Sequence, residues 1–348
     1  MSASAKNANL FAVAVVGASA LKGKEVRDVL SERSFPSIDI KLLDEEEVLG
    51  QLEQVNDEPT FIQGVLPEHL EGVDFAFLAS DEAYISKVWA TVRDSGSEII
   101  DISYALENNT DVVLRSPWVE RELGRVHPVA LQSAPVMIAH PAAVMLALLL
   151  ARVQKAAKVQ VASAVVCHPA SEYGRKGLDE LHDQTVNLLS FQTLPTAVLG
   201  AQAAFNLSVQ PDTGAHPSLG EVEARIVRHY KALAQDEIAM PAVMVAQAPV
   251  FHGCVMAMFV LTKEKVTAEQ LELALVGPHV VVAGAGDELP NSVNVAGTTE
   301  ILTCVRPDGA GGNGFWIWAG CDNLRISAIQ AVECAEEMVQ TRPRGQLQ

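Results

Sequence analysis

The sequence predicts an α/β protein: a doubly wound, parallel-stranded N-terminal domain, then an α+β domain with a mostly antiparallel sheet. Three observations carry this reading. Short Val-rich runs bounded by turn residues alternate with stretches of helical spacing over the first hundred residues, as buried parallel strands and their crossover helices do. The first run, Phe11–Val16 (FAVAVV), stops at Gly17 and passes through a loop containing Gly23 into Lys24–Leu30, where Val26, Val29 and Leu30 share a helical face. Strand, glycine loop and helix form the first unit of a Rossmann-like dinucleotide-binding domain, where helix N–H groups meet a pyrophosphate. From Val159 onward the pattern changes to longer strands mixed with helices, which marks a second domain.

Each element follows in order. After the first helix, a turn over Ser34–Ser37 leads to a strand at Ile38–Leu43, which ends in Asp44, Glu45, Glu46 and Glu47. An acidic residue there accepts hydrogen bonds from an adenosine ribose, favours NAD and repels the extra phosphate of NADP. A run of four also reads as a solvated acidic turn. Val73–Ala79 is a strand, Ser80-Asp81-Glu82 a capped helix start, Ala83–Arg93 a helix and Ile99–Ile102 a further strand. Val136–Ala139 leads into His140-Pro141-Ala142-Ala143 and a core helix, Ala142–Val153, with proline at its favoured first-turn position. In the second domain, Val159–Val166 is a strand and Leu178–Leu189 a helix with acidic first-turn residues. Pro195–Pro217 is irregular, and Glu221–Leu233 is a helix. Pro241–Val250 and Cys254–Thr262 read as antiparallel strands joined by a turn at His252-Gly253. Val266–Val276 is a short helix with Thr267 as its cap, Gly314–Ala319 a strand, and Asn323–Gln340 a final amphipathic helix after Asp322. The expected domains are 10–141 with 322–348, and 142–321.

Composition bounds the function. The 348 residues are 49% hydrophobic, enough for two domains with large cores. A net charge of −18 and only 5% aromatic residues disfavour nucleic acid and anionic membrane surfaces as partners. Five cysteines (Cys167, Cys254, Cys304, Cys321 and Cys334) are widely spaced and include no C-x-x-C. That argues for a reducing compartment, hence the cytoplasm, and against a zinc framework. Met1–Asn9 lacks the apolar stretch of a signal peptide.

The glycine loop departs from the fingerprint. Gly17 and Gly23 stand where G-x-x-G-x-x-G wants its outer glycines, but Ala20 replaces the middle one. Its methyl group stands where a phosphate approaches the backbone most closely.

Several stretches, in order along nearly the whole chain, resemble the aspartate-semialdehyde dehydrogenase family. They are Val13–Pro36, Ile100–Ser103 (IDIS), Pro141 at a helix start, Ala203–Asn206 (AAFN), Gln247–Gly253 (QAPVFHG) and Cys321–Arg325 (CDNLR). The stretches AAFNLSVQ and QAPVFHG look like the Usg proteins of that family, dehydrogenase-like paralogues with a degenerate active site. The resemblance implies a homodimer paired through the second domain's sheet. It also implies a cofactor site for NAD or NADP at Gly17, Ser19, Ala20, Gly23, Asp44 and Asn323. In the family reaction a cysteine thiolate attacks an aldehyde or acyl phosphate, a histidine moves protons, and hydride passes through a thioester stage.

Against that template the chain departs repeatedly. Ala143 stands at the position of the nucleophilic cysteine, and a methyl group forms no thioester. His168 matches a glutamine near the nucleophile, Gln247 a substrate-binding arginine, and Cys254 the general-base histidine. Glu107 matches a phosphate-binding arginine, and an arginine near the NADP phosphate falls near Glu47. The small loop after the third strand is Ser80-Asp81-Glu82, and Glu172 and Tyr173 break a glycine pair of which Gly174 survives. Three functions remain to be weighed: a non-catalytic dehydrogenase-like protein, an NAD(P)-dependent oxidoreductase of altered chemistry in amino-acid biosynthesis, or a new nucleophile. The last would pair Cys254 with His168, or recruit His140 or His252 to a metal. Against it, cysteine is commonly a small buried hydrophobe and histidine a loop residue.

Overall fold

The computed structural model describes residues 10–55, 58–125, 134–210, 214–284 and 286–341; Met1–Asn9, read above for a signal peptide, lies outside them. The described residues divide into two units. One comprises residues up to 113, 134–138 and 328–341; the other comprises residues 114–125 and 139–327.

The first unit is built on a seven-stranded sheet. Its strands are β1 (Phe11–Val16), β2 (Ser37–Asp44), β5 (Gln63–Gly64), β6 (Phe75–Leu78), β7 (Glu98–Asp101), β9 (Val136–Ile138) and β8 (Val113–Arg115, whose last two residues count with the second unit), in the order β5-β2-β1-β6-β7-β9-β8. The run from β5 to β9 is parallel throughout. Val13, Ala14, Val15 and Val16 of the central β1 are all fully buried, which is why an unbroken apolar run serves here instead of an alternating one. Helix α1 (Leu21–Glu32) turns Gly23, Val26, Val29 and Leu30 inward. It starts three residues before the expected Lys24, so Gly23 lies inside its first turn and not in the loop. Helix α3 (Glu82–Asp94) is capped as expected, Asp81 Oδ1 accepting from the Tyr84 N–H at 2.8 Å. The sequence reading passed over a two-stranded ribbon, β3 (Leu52–Val55) with β4 (Glu58–Phe61), the short strands β5 and β8, and helix α2 (Pro67–Leu70).

The second unit carries a six-stranded mixed sheet. Its elements are α4 (Pro117–Glu122), α5 (Pro141–Ala156), β10 (Val159–His168), α6 (Gly174–Leu189), α7 (Leu219–Ala234), β11 (Ala242–Gln247), β12 (Cys254–Thr262), α8 (Ala268–Leu275), β13 (Val280–Val282), β14 (Ile301–Pro307), β15 (Gly314–Cys321) and the first residues of α9 (Asn323–Thr341). The strand order is β11-β10-β12-β15-β14-β13. The three pairings from β10 to β14 are antiparallel and the two outer ones parallel. All residues of α5 from Pro141 to Val153 are buried, so this is a core helix. Thr267 caps α8 through a reciprocal box with Gln270.

Two expectations are corrected. The expected hairpin of Pro241–Val250 with Cys254–Thr262 does not form: β10 lies between β11 and β12. Residues 248–251 instead wrap the end of β10, with the Ala248 N–H donating to His168 O and the Ala170 and Ser171 N–H groups donating to Val250 O and Phe251 O. Alternating apolar residues fix the face of a strand but not its neighbour. Helix α6 begins at Gly174, one turn before Leu178, so Asp179 and Glu180 are not in its first turn.

Candidate functional site

In the first unit the glycine loop is held by the chain itself. Gly17 has φ +92°, and a Cβ there would lie 2.5 Å from the Ser80 nitrogen; a Cβ on Gly23 would lie 2.0 Å from the Gly17 carbonyl oxygen. Both glycines are required by close backbone packing. Ala20 is the extended residue before α1, and its N–H donates to Gly17 O at 3.0 Å. Asp44 is not a solvated turn residue. It is 3% exposed, accepting from the Ser19 N–H at 2.7 Å and the Glu45 N–H at 2.9 Å. Lys22 Nζ donates to Ile102 O at 2.8 Å and lies 4.3 Å from the Tyr104 ring centre. Glu47 is exposed just after β2, and Glu107 is half-buried. Asp101 is fully buried, with the Ser103 hydroxyl and the Ser103 and Leu106 N–H groups donating to it. Burial nevertheless lifts its carboxyl above the ordinary range.

In the second unit, four positions singled out by the resemblance lie on α5, β10, β11 and β12. Ala143 is the third residue of α5 and fully buried. The helix is capped by His140, whose Nδ1 accepts from the Ala142 N–H at 3.2 Å; the His140 N–H donates to His229 Nδ1 at 2.9 Å. Both Nδ1 atoms are acceptors, so neither carries a proton in this arrangement. His168 is buried and packs edge-on to Tyr173 at 5.3 Å. The Gln247 side chain folds back on the main chain, with Nε2 donating to His168 O and Ala248 O, each at 3.1 Å. The adjoining depression, about 10 Å³ and lined by Tyr173, Leu199, Ala203, Ser208, Leu219 and Gln247, holds no more than a water molecule.

Cys254 opens β12 directly opposite Cys321. Burial pushes its thiol well above the ordinary value, and Cys321, Glu172 and Cys167 push it further the same way. A thiol kept protonated is a poor nucleophile, which weighs against the Cys254–His168 pairing. His252 sits in the turn before β12, and among the described residues no group of three or more His, Cys, Asp or Glu is placed to hold a metal ion. Asn323 is buried, its Nδ2 donating to Ser171 Oγ at 3.1 Å and Glu172 Oε1 at 2.9 Å. Its amide therefore already has partners in the same unit.

Sequence reasoning missed the polar residues that shape the loop after α6. Gln184 Nε2 donates to Pro195 O and Ala201 O, while its Oε1 accepts from the Ala203 and Ala204 N–H groups. Glu180, one turn earlier, accepts from the Val198 and Leu199 N–H groups. Two polar residues at i and i+4 before a long irregular stretch were the available signal.

A Rossmann-like parallel sheet and a mixed-sheet second unit define a dehydrogenase-type architecture. Residues 12–125 match the model of the semialdehyde dehydrogenase NAD binding domain, and residues 146–326 match that of the semialdehyde dehydrogenase dimerisation domain. The chain belongs to the semialdehyde dehydrogenase family. It is 27% identical to aspartate-semialdehyde dehydrogenase 2 of Vibrio cholerae over 335 residues, covering 94% of this chain and 98% of that one. It is 32% identical to a USG-1 protein homolog of Pseudomonas aeruginosa over 245 residues, covering 69% and 70% of the two chains. The solved structure of aspartate semialdehyde dehydrogenase II from Vibrio cholerae superposes with a TM-score of 0.82 at 25% identity, covering 96% of this chain and all of that one. Among the described residues no helix is long and apolar enough to cross a membrane.

Proposed function

We propose that this chain is a dehydrogenase-like homodimer that has lost the family's phosphorylating aldehyde dehydrogenase reaction. The observation that carries this reading is Ala143, a fully buried methyl group in the first turn of α5, where the family resemblance wants a thiolate. Burial pushes the Cys254 thiol well above the ordinary value, and the Gln247 amide donates to His168 O and Ala248 O and offers no cation to an anionic substrate. An NAD-linked oxidoreductase of altered chemistry is less well supported, because Asp44 is already bonded within the first unit.

The homodimer is supported by the match to a dimerisation domain and by the sheet of the second unit. Val161 and Trp316 expose 48% and 45% of their surface, and the Phe259 and Trp316 rings adjoin at 5.2 Å; such an apolar face fits a partner subunit. Five free cysteines support a reducing, cytoplasmic setting. The test is reduction of NADP by the pure protein with aspartate semialdehyde and phosphate. The expected result is no rate above background, and turnover at about 1 s⁻¹ or faster overturns the proposal.

A further inference from the structure

The family implies a nicotinamide dinucleotide in the first unit, and the loop from Gly17 to Ala20 with the first turn of α1 is where the fold offers N–H groups to a pyrophosphate. The residues present do not fit that ligand. The Ser19 N–H, in the middle of the loop, already donates to Asp44 Oδ2 at 2.7 Å, a short distance typical of a charge-assisted bond. The second Asp44 oxygen accepts from the Glu45 N–H at 2.9 Å, so the 3% exposed carboxylate is fixed from both sides. A pyrophosphate arriving here meets a like charge, with Glu45, Glu46 and Glu47 next in the chain. The Ala20 N–H is bonded to Gly17 O, and its methyl group replaces the middle glycine. The cations of the first helical turn are engaged as well, Lys22 with Ile102 O and Lys24 with Glu53 at 3.5 Å. Gly17 and Gly23 are no argument for a nucleotide, since main-chain packing alone excludes a side chain at either position.

We infer that Asp44 closes this loop, standing where a ligand phosphate would accept the Ser19 N–H, and that the first unit takes neither NAD nor NADP. This deepens the reading of a lost reaction, on which it rests, by naming a group that excludes the cofactor.

The test uses the full chain. Calorimetric titration with NAD and with NADP to about 1 mM is expected to give no binding, and a Kd at or below about 0.1 mM for either overturns the inference. Amide hydrogen exchange at Ser19 is expected to be slow in the wild type, and about tenfold or more faster in Asp44→Ala. Equal exchange in the two proteins overturns the closed loop. Should Asp44→Ala fail to fold, the wild type decides: fast Ser19 exchange overturns the inference, and slow exchange without nucleotide binding supports it. NADP binding without turnover defeats this inference and leaves the lost reaction standing. Reduction of NADP driven by aldehyde and phosphate defeats both.

Discussion

The loop between β1 and α1 is made by backbone, while the positions around Ala143 depend on side chains. In the first unit, a side chain is excluded at Gly17 by Ser80, which follows β6, and at Gly23 by the Gly17 carbonyl. In the second, Ala143, His168, Gln247 and Cys254 are all buried, yet nothing in their packing demands a thiolate, an arginine or a proton-moving imidazole. On the proposed reading, the difference teaches where a motif lasts: glycines that serve packing stay readable whether or not a ligand binds, whereas nothing in the packing of a buried pocket holds a reacting group in place.

The strongest way to break that comparison is Gly23→Ala. A Cβ placed 2.0 Å from a backbone carbonyl oxygen has no flexible neighbour to yield, and we expect a loss of more than about 3 kcal/mol in urea denaturation. Gly174→Ala is the companion. It also has a positive φ, +67°, but no atom within 4 Å of the added Cβ, so the cost should be backbone strain of about 1–3 kcal/mol. If Gly23→Ala is the milder change, Gly23 is not held by packing and a ligand must again be considered.

Next in size is Gln184→Ala. Its amide satisfies two carbonyls and two N–H groups of the 195–204 stretch. Leaving these groups without a partner should cost about 2–3 kcal/mol and loosen that loop first, as seen by limited proteolysis. An unchanged cleavage pattern would mean that the second unit's polar residues are as replaceable as its reacting groups.

These residues also mark what was legible. The parallel strands of the first unit, the caps at Asp81 and Thr267 and the proline start of α5 could be read because each depends on local spacing or on a residue's own chemistry. Strand neighbours could not: the alternation in Ala242–Gln247 and Cys254–Thr262 fixes faces, but only the long connection through α6 and α7 makes β11 a parallel partner of β10. The role of Asp44 was half visible. Its position at the end of β2 was clear, but its bond to Ser19, 25 residues earlier, exists only after folding. Gln184 and Glu180 were hidden because a helix with polar residues on one side ordinarily turns that side to solvent.

A smaller effect sharpens the contrast through pH, because a carboxyl in each unit, Asp101 buried and Glu122 half-buried, titrates with opposite sign. Asp101 is raised above 3.8 by burial. Its folded form binds a proton more readily than its unfolded form, so its contribution is full below about 3.9 and is lost as pH rises through the folded value. Glu122 is opposed by burial, but bonds from Lys155 and Arg152 bring it below 4.5. Its contribution is full above about 4.3 and is lost as pH falls through the folded value. Relative to Asp101→Asn, the wild type should therefore lose stability between acid and neutral pH. Relative to Glu122→Gln, it should lose stability on acidification. Denaturant midpoints from about pH 3 to pH 7 test both signs.

The smallest expected effect is that of placing a sulfur where the resemblance implies a nucleophile. Ala143→Cys places a thiol in the first turn of α5, where the helix dipole favours a thiolate. The site is fully buried, so the extra sulfur should cost about 1–2 kcal/mol of packing strain. We expect no NADP reduction from this variant. A thiol alone is not the reaction: at the positions where the family resemblance implies a general-base histidine and a substrate-binding arginine stand Cys254 and Gln247, the latter bonded to His168 O, and the Ser19 N–H in the first unit remains with Asp44. Aldehyde- and phosphate-dependent turnover by Ala143→Cys alone would break the comparison from the other side. The second unit would then be one side chain from activity, and the proposed loss would rest on Ala143 alone.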